Sequence, residues 1–208
     1  MSLDVEEFPS NSVRSLTDIE GLLESGDLLF ASGNGRFSRM IKWATGSVWS
    51  HVAFVLRLDV IDTMMVMESV ENIGVRTVPL KKYVTDYDSA SHSYDGGLVM
   101  ARHSGMNEAL KDLEKLELIA NRAVGLLGYP YDGDEIARIA ARIAISSIPG
   151  QWGRPHELER DREFICSEFV EECFHAVGVD LPNKGYITPT DIASADEVQL
   201  LAVLQTAG

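Results

Sequence analysis

Two cysteines and five histidines are the side chains of this 208-residue sequence with the widest chemical reach. Both cysteines fall in one stretch, REFICSEFVEECF, from Arg162 to Phe174. A thiol attacks carbonyls as its thiolate, and it does so best at a helix N-terminus or beside a cation, with a base to take its proton. From Cys166 the apolar residues Phe169, Val170, Cys173, Phe174 and Val177 recur at helical spacing, and Gly178 stands where a left-handed C-cap belongs. The spacing predicts a helix over Cys166–Val177. Cys166 then occupies the positive end of the helix dipole, while Cys173 lies two turns inside as a small apolar side chain. At ~1.5 Å of rise per residue the two stand roughly 10 Å apart, beyond the ~7 Å limit for a disulfide.

The base must be a histidine. His175 shares the helix with Cys166 but points to another face, His92 and His156 fall in polar loops, and His103 ends a strand-like run. His51 opens the run HVAFVLRL after TGSVWS, at the end of a buried strand, where a rigid sheet holds a catalytic group well. Alternation puts His51, Ala53, Val55 and Arg57 on one face. If the following hairpin pairs Leu58 with Thr63, Ala53 opposes Glu68, and Glu68 becomes a diagonal neighbour of His51 at ~7 Å. Glu68 then orients the imidazole; a register slipped by one residue makes it a solvated strand-end carboxylate instead.

The elements that position these residues run from strand-rich to helix-rich. Residues 1–15 read as a flexible arm and Leu16–Glu24 as a short helix. A strand over Leu28–Ala31 and a helix over Arg36–Ala44 precede the hairpin, and GVRTVPL and Gly96–His103 add strands. KKYVTDYDSASHSYD between them reads as a loop. Asn107 is placed as the N-cap of a helix reaching Leu127, and a further helix starts near Asp134 and stops by Pro149. The fold class expected is α+β, an antiparallel, barrel-like sheet packed against helices, with 16–208 forming a single domain and a helical insert near 107–148.

Composition bounds the partners. With 18 basic against 32 acidic residues the net charge is −14, which disfavours nucleic acid and anionic surfaces. No run reaches transmembrane length, and the N-terminus lacks a basic start followed by an apolar stretch, so stable membrane insertion is not expected and a cytoplasmic location is. Two cysteines fit a reducing compartment. The thiols and imidazoles show no ligand spacing for a metal, and no cofactor is expected.

With His51, Glu68 and Cys166 in that order, the sequence resembles the circularly permuted branch of the NlpC-type papain-fold superfamily, the YiiX/YebB-like cysteine peptidases and amidases. The resemblance runs from about Gly26 to Ile192 through GDLLF, TGSVWSHVAFVL, VMESVENIGVRTVPL, LLGYPYD, FICSEFVEECFHAVGVDL and YITPTDIA. It implies a permuted papain-like fold with Cys166 as nucleophile, His51 as general base and Glu68 as its orienter. It also implies a site-lining role for Tyr131, with Ser167 beside Cys166 lining the site too, and a structural turn at Asp27. The reaction implied is cleavage of an amide, isopeptide or ester bond through an acyl-enzyme, on small peptide, amide or acyl substrates that include cell-wall-derived peptides. The other readings are an acyltransferase of the lecithin:retinol-acyltransferase type and a catalytically inactive binding module.

Overall fold

The computed structural model describes Leu3, Phe8 and residues 12–131, 165–182 and 187–206. Seven strands pair among them: β1 (Val13–Arg14), β2 (Leu28–Gly33), β3 (His51–Leu58), β4 (Thr63–Val70), β5 (Gly74–Pro79), β6 (Gly96–His103) and β7 (Val198–Leu204). They form one sheet in the order β1-β7-β6-β2-β3-β4-β5. β1 runs parallel to β7, and the other neighbours are antiparallel. Among the described residues β1 and β5 are edges, so the sheet they form is open and the barrel-like closure is not completed. The helices are α1 (Leu16–Ile19), α2 (Arg36–Thr45), α3 (Leu80–Thr85), α4 (Ser104–Ala109), α5 (Leu113–Gly125), α6 (Cys166–His175) and α7 (Pro189–Ala193). The class is α+β.

Both faces of the sheet are covered, which is why β3 reads as an almost unbroken apolar run. Val52 and Phe54 face a core shared with Phe169, Val170, Cys173 and Phe174 of α6 and Ile119 of α5. Ala53 and Val55 face a second core with Leu80 and Tyr83 of α3 and Leu16 of α1. Phe54 stacks on Phe169 at 5.8 Å and meets Phe174 edge-on at 5.9 Å. Each such buried side chain contributes about 1.5–3 kcal/mol by leaving water, and this anchors α6 to the sheet.

Helix α6 forms because its apolar stripe matches that core and because both ends are provided for. At the start the Ile165 backbone is extended and its N–H donates to the Glu168 carboxylate at 3.3 Å. Beyond the last turn Gly178 takes φ +80°, a conformation costly for residues with a Cβ, and its N–H donates to the His175 carbonyl at 2.9 Å.

Several elements differ from the sequence reading. In the N-terminal arm, Leu3 is buried and donates its N–H to the Ala193 carbonyl, Phe8 packs on Trp49, and Val13–Arg14 pair with β7, so these points are not loose. The helix expected from Asn107 to Leu127 is two helices. His103 Nδ1 caps α4 by accepting from Met106 N–H, and Asp112 caps α5 by accepting from Glu114 N–H, so the chain restarts at Asp112. Asn107 lies inside α4 and is no cap. The short helix at Leu16 gives way to a 3-10 turn at Glu20–Leu22. Part of the expected loop after β5 is α3, and the helix-rich half returns to the sheet as β7. The expected helix at 134–149 lies outside the described residues.

Candidate active site

The hairpin between β3 and β4 is closed by a 3-10 turn at Asp59–Ile61, and this turn sets the register Leu58 opposite Thr63 through Phe54 opposite Met67. Continuing that register puts Ala53 opposite Glu68, so Glu68 and His51 lie diagonally on one face. His51 Nε2 meets Glu68 Oε2 at 2.8 Å. The Cys166 side chain, at the first residue of α6, lies close enough to the His51 ring to act on its charge. With Nε2 taken by the carboxylate, Nδ1 is the ring nitrogen left for the thiol. His51 is the first residue of its strand, and this lets it meet a helix packed on the opposite face.

Burial alone would lower the His51 pKa, but hydrogen bonds and charge attraction from Cys166 and Glu68 outweigh it and push the imidazole up to about 10. Glu68 is completely buried. Burial would raise its carboxyl, yet His51, Arg76 and Tyr83 together hold it below the usual carboxylate range. The same oxygen that meets His51 accepts from the Tyr83 hydroxyl, and Oε1 accepts from Arg76 Nε at 2.9 Å. Arg76 in turn reaches Asp88 with Nη1 at 2.8 Å.

The two thiols are separated by environment as well as position. Cys173 is fully buried, and burial pushes its thiol well up. Cys166, 2% exposed, borders a shallow cleft whose other walls among the described residues are Ile41, Ala44, Thr45, Ile165, Ser167, Thr188 and Pro189. Each hydroxyl among these is turned away. Thr45 donates to the Ile41 carbonyl at 3.0 Å, Ser167 to the Ile187 carbonyl at 2.7 Å, and Thr188 to Asp191. What the described residues turn toward the cleft is mostly carbon.

The other residues named from the sequence fall around this centre rather than in it. Ser167 borders the cleft with its hydroxyl tied to Ile187. Tyr131 meets Phe37 edge-on at 5.9 Å and packs against Ile41 and Ile165, two residues of the cleft wall. Asp27 is buried away from the thiol. Its carboxylate accepts from Glu24 N–H at 2.8 Å and from Arg102 Nε and Nη2 at 2.7 and 2.8 Å, which pins the turn into β2 to β6. Sequence reading missed Arg76 and Tyr83. Arg76 is the cross-strand partner of Glu68, a relation that the Glu-Asn-Ile-Gly turn fixes once Val70 is paired with Gly74. Tyr83 carried no local signal, because its helix lies in a segment of mixed charge.

A papain-like arrangement of a helix-borne thiol against a strand-borne imidazole is the class this fold and geometry define. The chain belongs to the permuted papain-like amidase family YaeF/YiiX, C92, whose model matches residues 22–134, just over half of the sequence. That family, rather than the wider NlpC type, is its place, and at family level the chain is an amidase of the cysteine-hydrolase kind. The solved structure of the metalloprotein yiiX from Escherichia coli O157:H7 is similar in fold, with a TM-score of 0.59 at 18% identity, covering 88% of this chain and 98% of that one. No curated protein matches the chain. Among the described residues of this chain, no three His, Cys, Asp or Glu side chains gather in a way that could hold a metal ion. No helix among them is long and apolar enough to cross a membrane.

Proposed function

We propose that the chain hydrolyses an amide bond through an acyl-enzyme on Cys166, with His51 as acid and base and Glu68 as the group that orients His51. One observation carries this reading: His51 meets Glu68 at 2.8 Å while the Cys166 side chain acts on the charge of the same ring. The Cys166 proton is held on His51 Nδ1, and the thiolate adds to the carbonyl carbon. The oxyanion is met by the Cys166 backbone N–H, which at the first position of a helix has no partner within the helix. The C–N bond breaks as His51 returns its proton to the leaving amine. Water then gives a proton to His51 and attacks the thioester, which releases the acid and restores the thiol. Glu68 stays a carboxylate throughout and stabilises the imidazolium.

The carbon lining that the described residues give the cleft beside Cys166 supports an uncharged, apolar group next to the reacting carbonyl. It equally favours a second reading, transfer of an apolar acyl group to an acceptor amine or alcohol. Adding an acceptor amine and analysing the products separates hydrolysis from transfer.

The primary test is alkylation of the intact protein with iodoacetamide across pH, read peptide by peptide. Cys166 is expected to be alkylated faster than Cys173, and to lose that reactivity in His51→Ala. Cys166→Ala should abolish the fast phase and Cys173→Ala should leave it unchanged. A Cys166 that reacts like a free thiol, or indifferently to His51→Ala, overturns the mechanism.

A further inference from the structure

Glu68 is held by more than His51, and the extra contacts form a continuous structure. Its two oxygens have different partners: Oε2 serves His51 and Tyr83, and Oε1 serves Arg76. A carboxylate fixed at both oxygens cannot rotate about its terminal bond. Arg76 needs no loop to reach it, because β5 puts Arg76 directly opposite Glu68. Tyr83 is 1% exposed, with its ring locked against Tyr87 at 4.9 Å and Tyr94 at 5.7 Å. Arg76 is fastened from its far side by Asp88, which sits at φ +51° with Ser89 beside it at φ +60°. Two adjacent non-glycine residues in the left-handed region cost on the order of 1 kcal/mol each and persist where the surroundings over-determine them.

We propose that Arg76 and Tyr83 are positioning residues of this site: together they hold the Glu68 carboxylate ionised and aimed at His51, with Asp88 fastening Arg76. The inference rests on the proposed roles of Cys166 and His51 and extends them. The titratable and charged groups around Glu68 are His51 from β3, Arg76 from β5, Tyr83 from α3, and Tyr87, Asp88 and Tyr94 from the segment after α3. Cys166 from α6 lies beyond His51. Among these, burial is the one influence that favours a neutral Glu68, and the guanidinium of Arg76 is the permanent charge that opposes it. Without Arg76 the buried carboxylate takes the His51 proton instead of supporting it. The thiolate–imidazolium pair then loses its counter-charge.

The test is the pH profile of Cys166 alkylation by iodoacetamide in the wild type, His51→Ala, Arg76→Met, Arg76→Lys and Tyr83→Phe proteins. Arg76→Met is expected to move the rising limb to higher pH by about one unit or more, which is roughly a tenfold loss of rate on the acid side. Tyr83→Phe, which keeps the ring and removes one donor, moves it the same way by less, and Arg76→Lys recovers part of the shift. A purely structural role would lower the melting temperature and leave the profile in place. If the Arg76→Met and Tyr83→Phe profiles overlay the wild type, or move to lower pH, while His51→Ala still abolishes the fast reaction, this inference alone is overturned. If His51→Ala changes nothing, the reading of Cys166 and His51 fails first. Should Arg76→Met not fold, the Tyr83→Phe profile decides.

Discussion

His51 and His103 are both strand-end histidines, and their surroundings drive them in opposite directions. His51 faces a thiol and a carboxylate, which carry it up to about 10 against the pull of burial. His103 is lowered by burial, and its Nδ1 works as an acceptor for Met106 N–H, which requires the neutral ring. Nuclear magnetic resonance of the ring nitrogens should therefore find His51 doubly protonated through neutral pH, losing its proton only near pH 10. In Cys166→Ala the His51 titration should fall, because Cys166 is the larger of the two raising influences. His103 should stay neutral at pH ~7. Its folded pKa lies below its unfolded value, so the helix cap it provides is fully present above about 6.5 and is lost as the pH falls through the folded value. A His51 ring that titrates like a solvated histidine would show that its contacts to Cys166 and Glu68 do not hold in solution.

Among the elements, two glycines with similar backbone angles should respond differently to a methyl group. Gly178 ends α6 at φ +80° with open space where a Cβ would go. Gly178→Ala should cost only the left-handed penalty, about 1–2 kcal/mol by chemical denaturation. Gly74 starts β5 at φ +85°, and a Cβ there would stand 2.1 Å from the Tyr129 carbonyl oxygen. Gly74→Ala should cost clearly more than Gly178→Ala and, because Arg76 lies two residues on, should also slow Cys166 alkylation. Equal costs would mean that the chain after α5 does not press on β5. What could be read from sequence follows the same physics. Strands buried on both faces, such as β3, and a helix with one apolar stripe and a glycine stop, such as α6, announce themselves. β1 is two residues long, and β7 carries the irregular burial that goes with a bulge opposite Met100 and Ala101, so neither shows a clean period. α3 is a single helical stretch over Leu80–Thr85 with two lysines, and only its packing of Leu80 and Tyr83 under the sheet makes it an element.

At the scale of the whole molecule, the site is assembled from distant parts of the chain. His51 and Glu68 were legible because one turn fixes their register. The place of Cys166 at the first residue of α6 was legible because the apolar spacing and Gly178 mark that helix. Their meeting depends on packing that no local pattern contains. The N-terminal segment takes part in this packing. Leu3 is 1% exposed, its carbonyl accepts from Trp49 Nε1–H at 3.0 Å, and its N–H reaches Ala193 at 3.2 Å. Trp49 is two residues from His51. Leu3→Ala should therefore destabilise the fold by about 2–5 kcal/mol in denaturant unfolding, as for other buried leucines, although it lies outside the sheet. A loss below ~0.5 kcal/mol, the range of surface substitutions, would show that the contact is not made in solution.

The strand order carries one more implication, for the way the protein is made. β1 leaves the ribosome well before β7, yet β7 is its partner, and β7 also covers the free edge of β6. Until Val198–Leu204 emerge, β6 keeps an unpaired edge and the start of the chain has nowhere to dock. His51 and Glu68 can pair within their hairpin long before Cys166 is translated. The nascent chain thus carries His51 paired with Glu68 for nearly a hundred residues before it carries Cys166.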